Sequence, residues 1–193
     1  MQDQKSLQSE LTQVLRLVPD FPKKGILFRD ISTLLGDPVL LRSVVKNMAD
    51  TWRSSNVHKV AGMESRGFLI GILLAQELGV PFLMIRKANK LPLEKESISY
   101  GLEYGKDVLE VIKRDVKSEE LILIVDDLLA TGGTAKAAYD LLSKCGAHVV
   151  GFTFIIELDE LHGRRAISDH ISSDPSIGKI SPSNSFYSVV HYP

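Results

Sequence analysis

The stretch Leu121-Ile122-Leu123-Ile124-Val125-Asp126-Asp127-Leu128-Leu129-Ala130-Thr131-Gly132-Gly133-Thr134 decides the fold. Its opening aliphatic run predicts a strand that is buried on both faces of a parallel sheet. The run ends in two adjacent carboxylates, Asp126 and Asp127, which precede a turn rich in Thr and Gly. Because ligands bind at the carboxyl ends of strands in open α/β sheets, we expect a binding site at this point.

The turn has the composition of a phosphate-binding loop. Gly132 and Gly133 allow backbone N–H groups to approach an anion, and the following helix begins with its partly positive end. Asp126 and Asp127 would repel a phosphate unless they faced hydroxyl groups or a cation. The pattern therefore indicates a ligand with a phosphate, a sugar diol and Mg²⁺, such as a phosphorylated ribose. Taken alone, the Gly pair also fits an ordinary turn, and the Asp pair fits the end of an unrelated nucleotide fold.

Length and composition limit the class of protein. A chain of 193 residues with 44% hydrophobic content can bury one sizeable core, which predicts a single domain over residues 1–193. A net charge of −1 without a basic stripe argues against a nucleic-acid partner. The single Cys145, the polar start of the chain and the shortness of its apolar runs favour a cytoplasmic protein without a membrane span.

Apolar periodicity predicts an alternation of helices and strands, and hence an α/β fold. The predicted helices cover residues 7–18, 38–52, 68–78 and 134–144. The predicted strands cover residues 57–63, 82–85, 108–112, 121–125, 148–156 and 186–190. Residues 87–106 are charged, aperiodic and longer than most structural loops, which indicates a lid.

Residues 123–135 resemble the phosphoribosyl-diphosphate signature of the type I phosphoribosyltransferases. Four further stretches strengthen the resemblance, in the same order along the chain: FPKKGILFRDI at 21–31, ESRGF at 64–68, RKANKLP at 86–92 and YGLEYG at 100–105. The similarity covers residues 7–164 and is greatest to the family members that act on adenine.

This resemblance implies a type I phosphoribosyltransferase fold, with a central, mainly parallel, twisted sheet flanked by helices. It also implies an N-terminal helix and base-recognition hood over residues 1–36 and a flexible lid loop over residues 87–106. Residues 167–185 depart from the family pattern and are interpreted as an insertion.

The implied activity is transfer of a 5-phosphoribosyl group from 5-phospho-α-D-ribose 1-diphosphate to N9 of adenine, which yields AMP and pyrophosphate in purine salvage. The implied cofactor is Mg²⁺, and the implied assembly is a homodimer. Two alternatives stay open: transfer to another base, such as hypoxanthine, guanine or xanthine, and a non-catalytic regulator that senses the phosphoribosyl donor. The short N-terminal segment, with one predicted helix, argues against the DNA-binding module that such a regulator needs.

The resemblance also assigns the donor site. Asp126 and Asp127 would hold the ribose hydroxyls, directly or through hydrated Mg²⁺, which the substrate and water would mainly bind. The other implied donor contacts are Ala130, Thr131, Gly132, Gly133 and Thr134 around the 5′-phosphate, Glu64, Ser65 and Arg66 at the pyrophosphate, and the basic residues Arg86, Lys87 and Lys90. Arg86 would reach a neighbouring subunit. A cis peptide bond is implied between Glu64 and Ser65.

The implied adenine-binding residues are Leu27, Phe28, Arg29 and Leu158. Phe28 would stack on the purine, and the backbone of Leu27 would read its 6-amino edge. Glu103 would act as acid/base partner of the purine and Tyr104 would exclude water; Arg66 completes the implied catalytic group. From the residues alone, Phe28 also fits the core, and Glu103 and Arg66 also fit a solvated surface. The five histidines lack a metal-ligand spacing, so no catalytic role is assigned to them.

Overall fold

The computed structural model describes residues 4–102, 105–173 and 186–193. Its helices are α1 (Gln4–Val14), α2 (Ser32–Leu35), α3 (Pro38–Trp52), α4 (Arg66–Leu78), α5 (Gly133–Lys144) and α6 (Gly163–Ser172). Its strands are β1 (Arg16–Pro19), β2 (Leu27–Asp30), β3 (Lys59–Met63), β4 (Phe82–Lys87), β5 (Lys95–Leu102), β6 (Gly105–Ile112), β7 (Leu121–Leu129), β8 (His148–Leu158) and β9 (Phe186–Tyr192). Short 3₁₀ turns follow β6 at Lys113–Asp115 and β8 at Asp159–Leu161.

Seven strands form the central sheet in the order β5-β6-β4-β3-β7-β8-β9. The five strands from β4 to β9 in that order pair in parallel, whereas β6 and β5 add an antiparallel edge. All residues of β3 are buried because the strand lies between β4 and β7 with helices on both faces. The mainly parallel α/β sheet predicted from the sequence is confirmed.

Hydrophobic clusters cover both faces of the sheet. One contains buried residues of α5 and α6, and the other contains buried residues of α1, α3 and α4. Local signals fix the helix ends: Asp37 Oδ1 accepts hydrogen bonds from the first N–H groups of α3, and Gly79 ends α4 with a φ of 72°. The sheet is therefore packed against hydrophobic side chains on both faces.

The N-terminal segment differs from the predicted helix over residues 7–18. The helix α1 ends at Val14, and Arg16–Pro19 forms a strand that pairs antiparallel with β2. The apolar spacing of Leu15 and Val18 imitated a longer helix, but Pro19 disfavours helical backbone in the residue before it. The result is a small two-stranded sheet, which corresponds to the predicted hood.

The predicted lid loop also differs from the structure, because residues 95–102 form strand β5, paired with β6 as an antiparallel hairpin. Its alternation was hidden since β5 is an edge strand that carries charged and polar side chains. The predicted insertion at residues 167–185 begins inside helix α6, where Ile167 is fully buried. Residues 174–185 lie outside the described part of the chain.

Candidate active site

Two loops bring the predicted donor residues together at the carboxyl edge of the sheet. Strand β3 ends at Met63 and is followed by Glu64 and Ser65, after which α4 begins at Arg66. The peptide bond between Glu64 and Ser65 is cis, as predicted. Together with β4 and β7, this loop encloses a cavity of about 580 Å³. The cavity is lined by Glu64, Ser65, Arg66, Lys87, Lys90, Asp126 and Asp127.

The Thr/Gly-rich turn forms a second, smaller cavity of about 90 Å³. Its lining includes the whole predicted phosphate loop, Ala130, Thr131, Gly132, Gly133 and Thr134. Gly132 has a φ of 79°, a backbone conformation that suits glycine, and α5 begins at the next residue. The start of α5 therefore faces the small cavity, as an anion site requires. Asp126 lines both cavities, so the two are neighbours.

The start of helix α6 supports the phosphate loop from behind. A Cβ atom on Gly163 would lie 2.1 Å from the carbonyl oxygen of Ala130, and one on Gly132 would lie 2.8 Å from the carbonyl oxygen of Gly163. Both positions therefore depend on the absence of a side chain. This support was not predicted, because nothing in the sequence around Gly163 indicates which loop it contacts.

The two carboxylates of β7 are strongly shielded from water. Asp127 is 4% exposed, and its Oδ2 lies 2.9 Å from Nε of Arg66. Burial raises the pKa of Asp127, although the Arg66 charge opposes the shift. Burial and the neighbouring Asp127 charge raise the pKa of Asp126 well above its usual range. Two buried carboxylates beside one cation favour further positive charge or hydroxyl donors at this point.

Glu64 gathers the basic residues of the neighbouring loop. Lys90 Nζ donates to Oε1 at 2.6 Å, the backbone N–H of Lys87 donates to Oε2 at 3.0 Å, and Arg86 donates to both oxygens at 3.4 Å. Burial raises the pKa of Glu64, but these donors outweigh it and lower the pKa to about 2. Arg86 thus contacts Glu64 of its own chain.

The hairpin lies next to the phosphate loop. The hydroxyl of Tyr100 on β5 donates to Asp107 Oδ2 at 3.3 Å, and Lys87 Nζ lies 3.2 Å from the same oxygen. Tyr100 also shares a hydrogen bond with the side chain of Thr134 in the phosphate loop, while burial raises its pKa. Tyr100 and Asp107 were absent from the predicted site: Tyr100 begins the motif YGLEYG but received no role, and an isolated Asp in a charged segment gives no signal.

Of the predicted base-binding residues, Phe28 contacts the donor cavity through Arg66. Phe28 on β2 lies below the guanidinium of Arg66, whose carbon is 5.2 Å from the ring centroid, and makes an edge contact with Phe21. Arg29 donates to the carbonyl oxygen of Leu27 at 3.3 Å. Leu158 ends β8, the strand next to β7. Thus Arg66 links the Phe28 face to the carboxylate pair.

Glu103 and Tyr104 lie outside the described residues. Among the described residues, Glu157, Asp159 and His191 form a group with metal-ligand separations that the sequence spacing did not reveal. Arg164 already makes two hydrogen bonds to Glu157, at 2.9 and 2.6 Å, and lowers its pKa against the effect of burial. Glu157 is therefore already paired with a cation of the protein itself.

The chain matches the phosphoribosyl transferase domain family over residues 32–186. It is 50% identical over 155 residues to the adenine phosphoribosyltransferase of Francisella philomiragia, a match that covers 79% of this chain and 89% of the relative. It is 49% identical over 162 residues to that of Gloeothece citriformis, which covers 83% and 94% of the two chains.

Solved structures agree with these relatives. The adenine phosphoribosyltransferase of Rhodothermus marinus superimposes with a TM-score of 0.85 at 37% identity, covering 97% of this chain and 99% of that one. The Saccharomyces cerevisiae enzyme, solved with adenine and an imino-altritol bisphosphate, gives a TM-score of 0.80 at 37% identity and covers 84% and 94%. Across the described residues, no helix has the length and apolarity that crossing a membrane demands.

Proposed function

This chain belongs to the adenine phosphoribosyltransferase family, and we propose on that premise that it joins adenine to the ribosyl carbon of 5-phospho-α-D-ribose 1-diphosphate. The C1–pyrophosphate bond breaks, a bond forms between C1 and N9 of adenine, and the proton leaves N9. The products are AMP and pyrophosphate.

The observation that carries this proposal is the pair of neighbouring cavities that share Asp126. The small cavity offers N–H and hydroxyl donors to a 5′-phosphate, whereas the large one offers Arg66, Lys87 and Lys90 to a pyrophosphate. The carboxylates lie between these anion sites, where a ribose would present its hydroxyls. The donor substrate carries its charges in that same order.

Magnesium fits the carboxylate pair. Burial raises the pKa of both Asp126 and Asp127, and Asp127 Oδ2 accepts no hydrogen bond of good geometry from any described residue, although Arg66 Nε is close. Asp126 and Asp127 would hold the ion or its water shell, and the ion would supply positive charge that stabilises the departing pyrophosphate.

The chain's own residues bind and orient the substrates. We assign Arg66 to the pyrophosphate, because its guanidinium lies at the wall shared by the donor cavity and the Phe28 ring. Thr131 and Thr134 are assigned to the 5′-phosphate, and Lys87 and Lys90 to the charge that develops as pyrophosphate leaves. Such prearranged cations act most strongly where water is excluded.

Base selection is assigned to β2 and Leu158. A backbone carbonyl that accepts from the 6-amino group of adenine would face an oxygen in a 6-oxo purine, which leaves both groups unpaired at a cost of about 1–3 kcal/mol. The proposed acid/base role of Glu103 and the shielding role of Tyr104 rest on the motif YGLEYG alone. Glu103→Gln should lower turnover and leave the adenine Michaelis constant nearly unchanged.

We also propose a homodimer. Leu69 and Ile72 lie about one turn apart on α4 and are 47% and 51% exposed, and Met84 on the adjacent strand β4 is 46% exposed. Large apolar side chains at this density favour burial against a second subunit. Arg66 and Arg86 belong to the same two elements, α4 and β4.

The deciding experiment supplies purified protein with the phosphoribosyl donor, Mg²⁺ and, in parallel, labelled adenine, hypoxanthine or guanine. We expect AMP and pyrophosphate in equal amounts, with adenine preferred at least about a hundredfold in kcat/KM. Equal use of hypoxanthine would contradict the base assignment. Donor binding without product from any base would instead favour a sensing protein.

A further inference from the structure

Tyr192, at the end of β9, is in contact with the base-recognition strand β2. The guanidinium carbon of Arg29 lies 4.2 Å from the centroid of the Tyr192 ring, a stacking distance that favours a cation over an aromatic face. Nothing in the sequence indicated this contact, because the two residues are far apart along the chain and belong to different sheets.

Tyr192 holds the position of Arg29 largely through this contact. The Nε atom of Arg29 is buried and donates no hydrogen bond to any described residue, so the ring is a principal fixed neighbour of the guanidinium. The hydroxyl of Tyr192 is likewise buried and finds no hydrogen-bond partner within the described ranges. The aromatic ring, rather than the hydroxyl, therefore supports Arg29.

Arg29 in turn fixes the backbone of Leu27. Its Nη1 donates to the Leu27 carbonyl oxygen at 3.3 Å, across the residue whose ring is proposed to stack on the purine. The carbonyl of Leu27 is a backbone group assigned above to the 6-amino edge of adenine. A guanidinium that moved would therefore release this carbonyl from its present orientation.

Tyr192 also belongs to the opposite wall of the base site. It pairs with Leu158 in the parallel register between β8 and β9, and Leu158 is the residue proposed to close the other side of the purine. The ring thus connects the hood strand with the edge of the central sheet. The contact between Arg29 and Tyr192 therefore joins two separate sheets, β1-β2 and the central sheet.

We propose that Tyr192 is a positioning residue for adenine recognition, acting through Arg29 on the Leu27 carbonyl. The inference rests on the proposed function. It predicts that loss of the ring impairs use of the base and leaves use of the phosphoribosyl donor unaffected.

The test compares Tyr192→Leu with Tyr192→Phe in steady-state kinetics. The Leu variant should raise the adenine KM about fivefold or more, lower the adenine to hypoxanthine ratio of kcat/KM, and change kcat and the donor KM less than about twofold. The Phe variant should match the unmodified protein, because the hydroxyl has no described partner. A raised adenine KM in the Phe variant would overturn the proposal.

Tyr187→Leu is the matched control, because Tyr187 lies on the same strand and its hydroxyl contacts Asn47 on α3, away from the base site. It should lower thermal stability without moving the adenine KM. An equal rise of the adenine KM in this control would show general loosening of β9 and would overturn the proposal.

A double-mutant cycle checks the route. Arg29→Met removes the guanidinium and keeps an unbranched side chain. Adding Tyr192→Leu to this variant should raise the adenine KM little further. If the two substitutions raise the adenine KM additively, Tyr192 does not act through Arg29. A normal adenine KM in Arg29→Met would also contradict the proposal, and this result can be obtained even if Tyr192→Leu does not fold. If the unmodified protein forms no AMP from adenine, the proposed function fails before these variants are compared.

Discussion

At the scale of single residues, Asp126 and Asp127 place two carboxylates where a folded chain alone gains little from them. Burial raises the pKa of both, so the charged forms are favoured less in the folded chain than in water. Their charge is useful only when a ligand supplies hydroxyl groups or a cation. Site residues of this kind trade stability for binding.

Asp126→Asn should therefore stabilise the ligand-free protein while it abolishes most of its activity. Since the folded pKa is raised, the wild-type carboxyl favours folding below its unfolded pKa of about 3.9 and loses that contribution as pH rises through the folded value. The free energy of unfolding of Asp126→Asn should exceed that of the unmodified protein at pH 8, and the difference should shrink to zero near pH 4. Urea unfolding across this range, without Mg²⁺, measures it.

A surface variant, Asp169→Asn, serves as the control, because the Asp169 side chain is mostly exposed and, among the described residues, forms an ion pair only with Arg165. Its effect on the free energy of unfolding should be small at every pH. A destabilised Asp126→Asn protein at pH 8 would contradict the assigned direction of the pKa shift.

The residues that sequence analysis identified share one property, which is that their function depends on a local motif. Asp126, the phosphate loop and Glu64-Ser65-Arg66 are each continuous in the chain, and the structure brings them together around two adjoining cavities. No role was predicted for Tyr100 or Tyr192, because their partners, Thr134 and Arg29, lie far away in the sequence. Long-range contacts of this kind carry no periodic signal.

At the scale of elements, the strongly apolar strands and capped helices were predicted well, whereas elements with mixed composition were not. Strand β7 continues through Asp126 to Leu129, beyond the predicted end at Val125, because its later residues still pair with β8. Strand β5 was not predicted, because it is an edge strand with charged and polar side chains. Helix α6 was not predicted; the predicted insertion at residues 167–185 begins inside it at Ile167, which packs into the core beside α5.

Helix α6 gives an element-scale prediction, because it supports the phosphate loop. Gly163→Ala places a Cβ 2.1 Å from the Ala130 carbonyl oxygen, so the loop or the helix must shift. We expect a stability loss of about 1–3 kcal/mol and a donor KM raised about tenfold or more. Thermal unfolding and donor kinetics measure both effects.

The matched control is Gly36→Ala, where a Cβ meets only ordinary contacts at 3.5 and 3.6 Å and φ is −80°. This variant should keep the donor KM of the unmodified protein. An unchanged donor KM in Gly163→Ala as well would show that α6 does not shape the loop.

The hairpin formed by β5 and β6 gives a second element-scale prediction. Residues 87–106 should resist limited proteolysis when donor, Mg²⁺ and a purine analogue are present, because bound ligands would hold a closed lid over the site. Mass spectrometry of the fragments locates the cuts, and cleavage elsewhere in the chain is the internal control. The same cutting rate inside 87–106 with and without ligands would argue against a lid.

At the scale of the whole molecule, the position of Arg86 offers a test of the proposed homodimer. The described chain pairs Arg86 with its own Glu64, whereas the family resemblance assigns Arg86 to a neighbour's pyrophosphate. If the second assignment is right, combining an inactive Arg86→Ala subunit with an inactive Asp127→Asn subunit should restore about one half of the activity in each mixed dimer, because one of its two sites combines the intact residues.

Mixed subunits should be prepared by co-expression with two tags, and each variant alone provides the baseline. Sedimentation should show two chains per particle. If verified mixed dimers recover no activity, Arg86 acts in its own subunit. If the protein is an active monomer, the proposal of a homodimer is wrong.

The Glu64 cluster has a thermodynamic consequence. Its carboxylate already holds Lys90, Arg86 and the Lys87 backbone, so in the proposed reaction an arriving pyrophosphate exchanges one anion for another. This exchange conserves the number of ion pairs. The affinity for the donor then depends on the difference between the attraction of the cations to pyrophosphate and their attraction to Glu64. Ionic strength screens both terms alike, so donor use should depend only weakly on salt despite the many charges at the site. The same exchange favours release of pyrophosphate, because the Glu64 carboxylate can pair with these cations again.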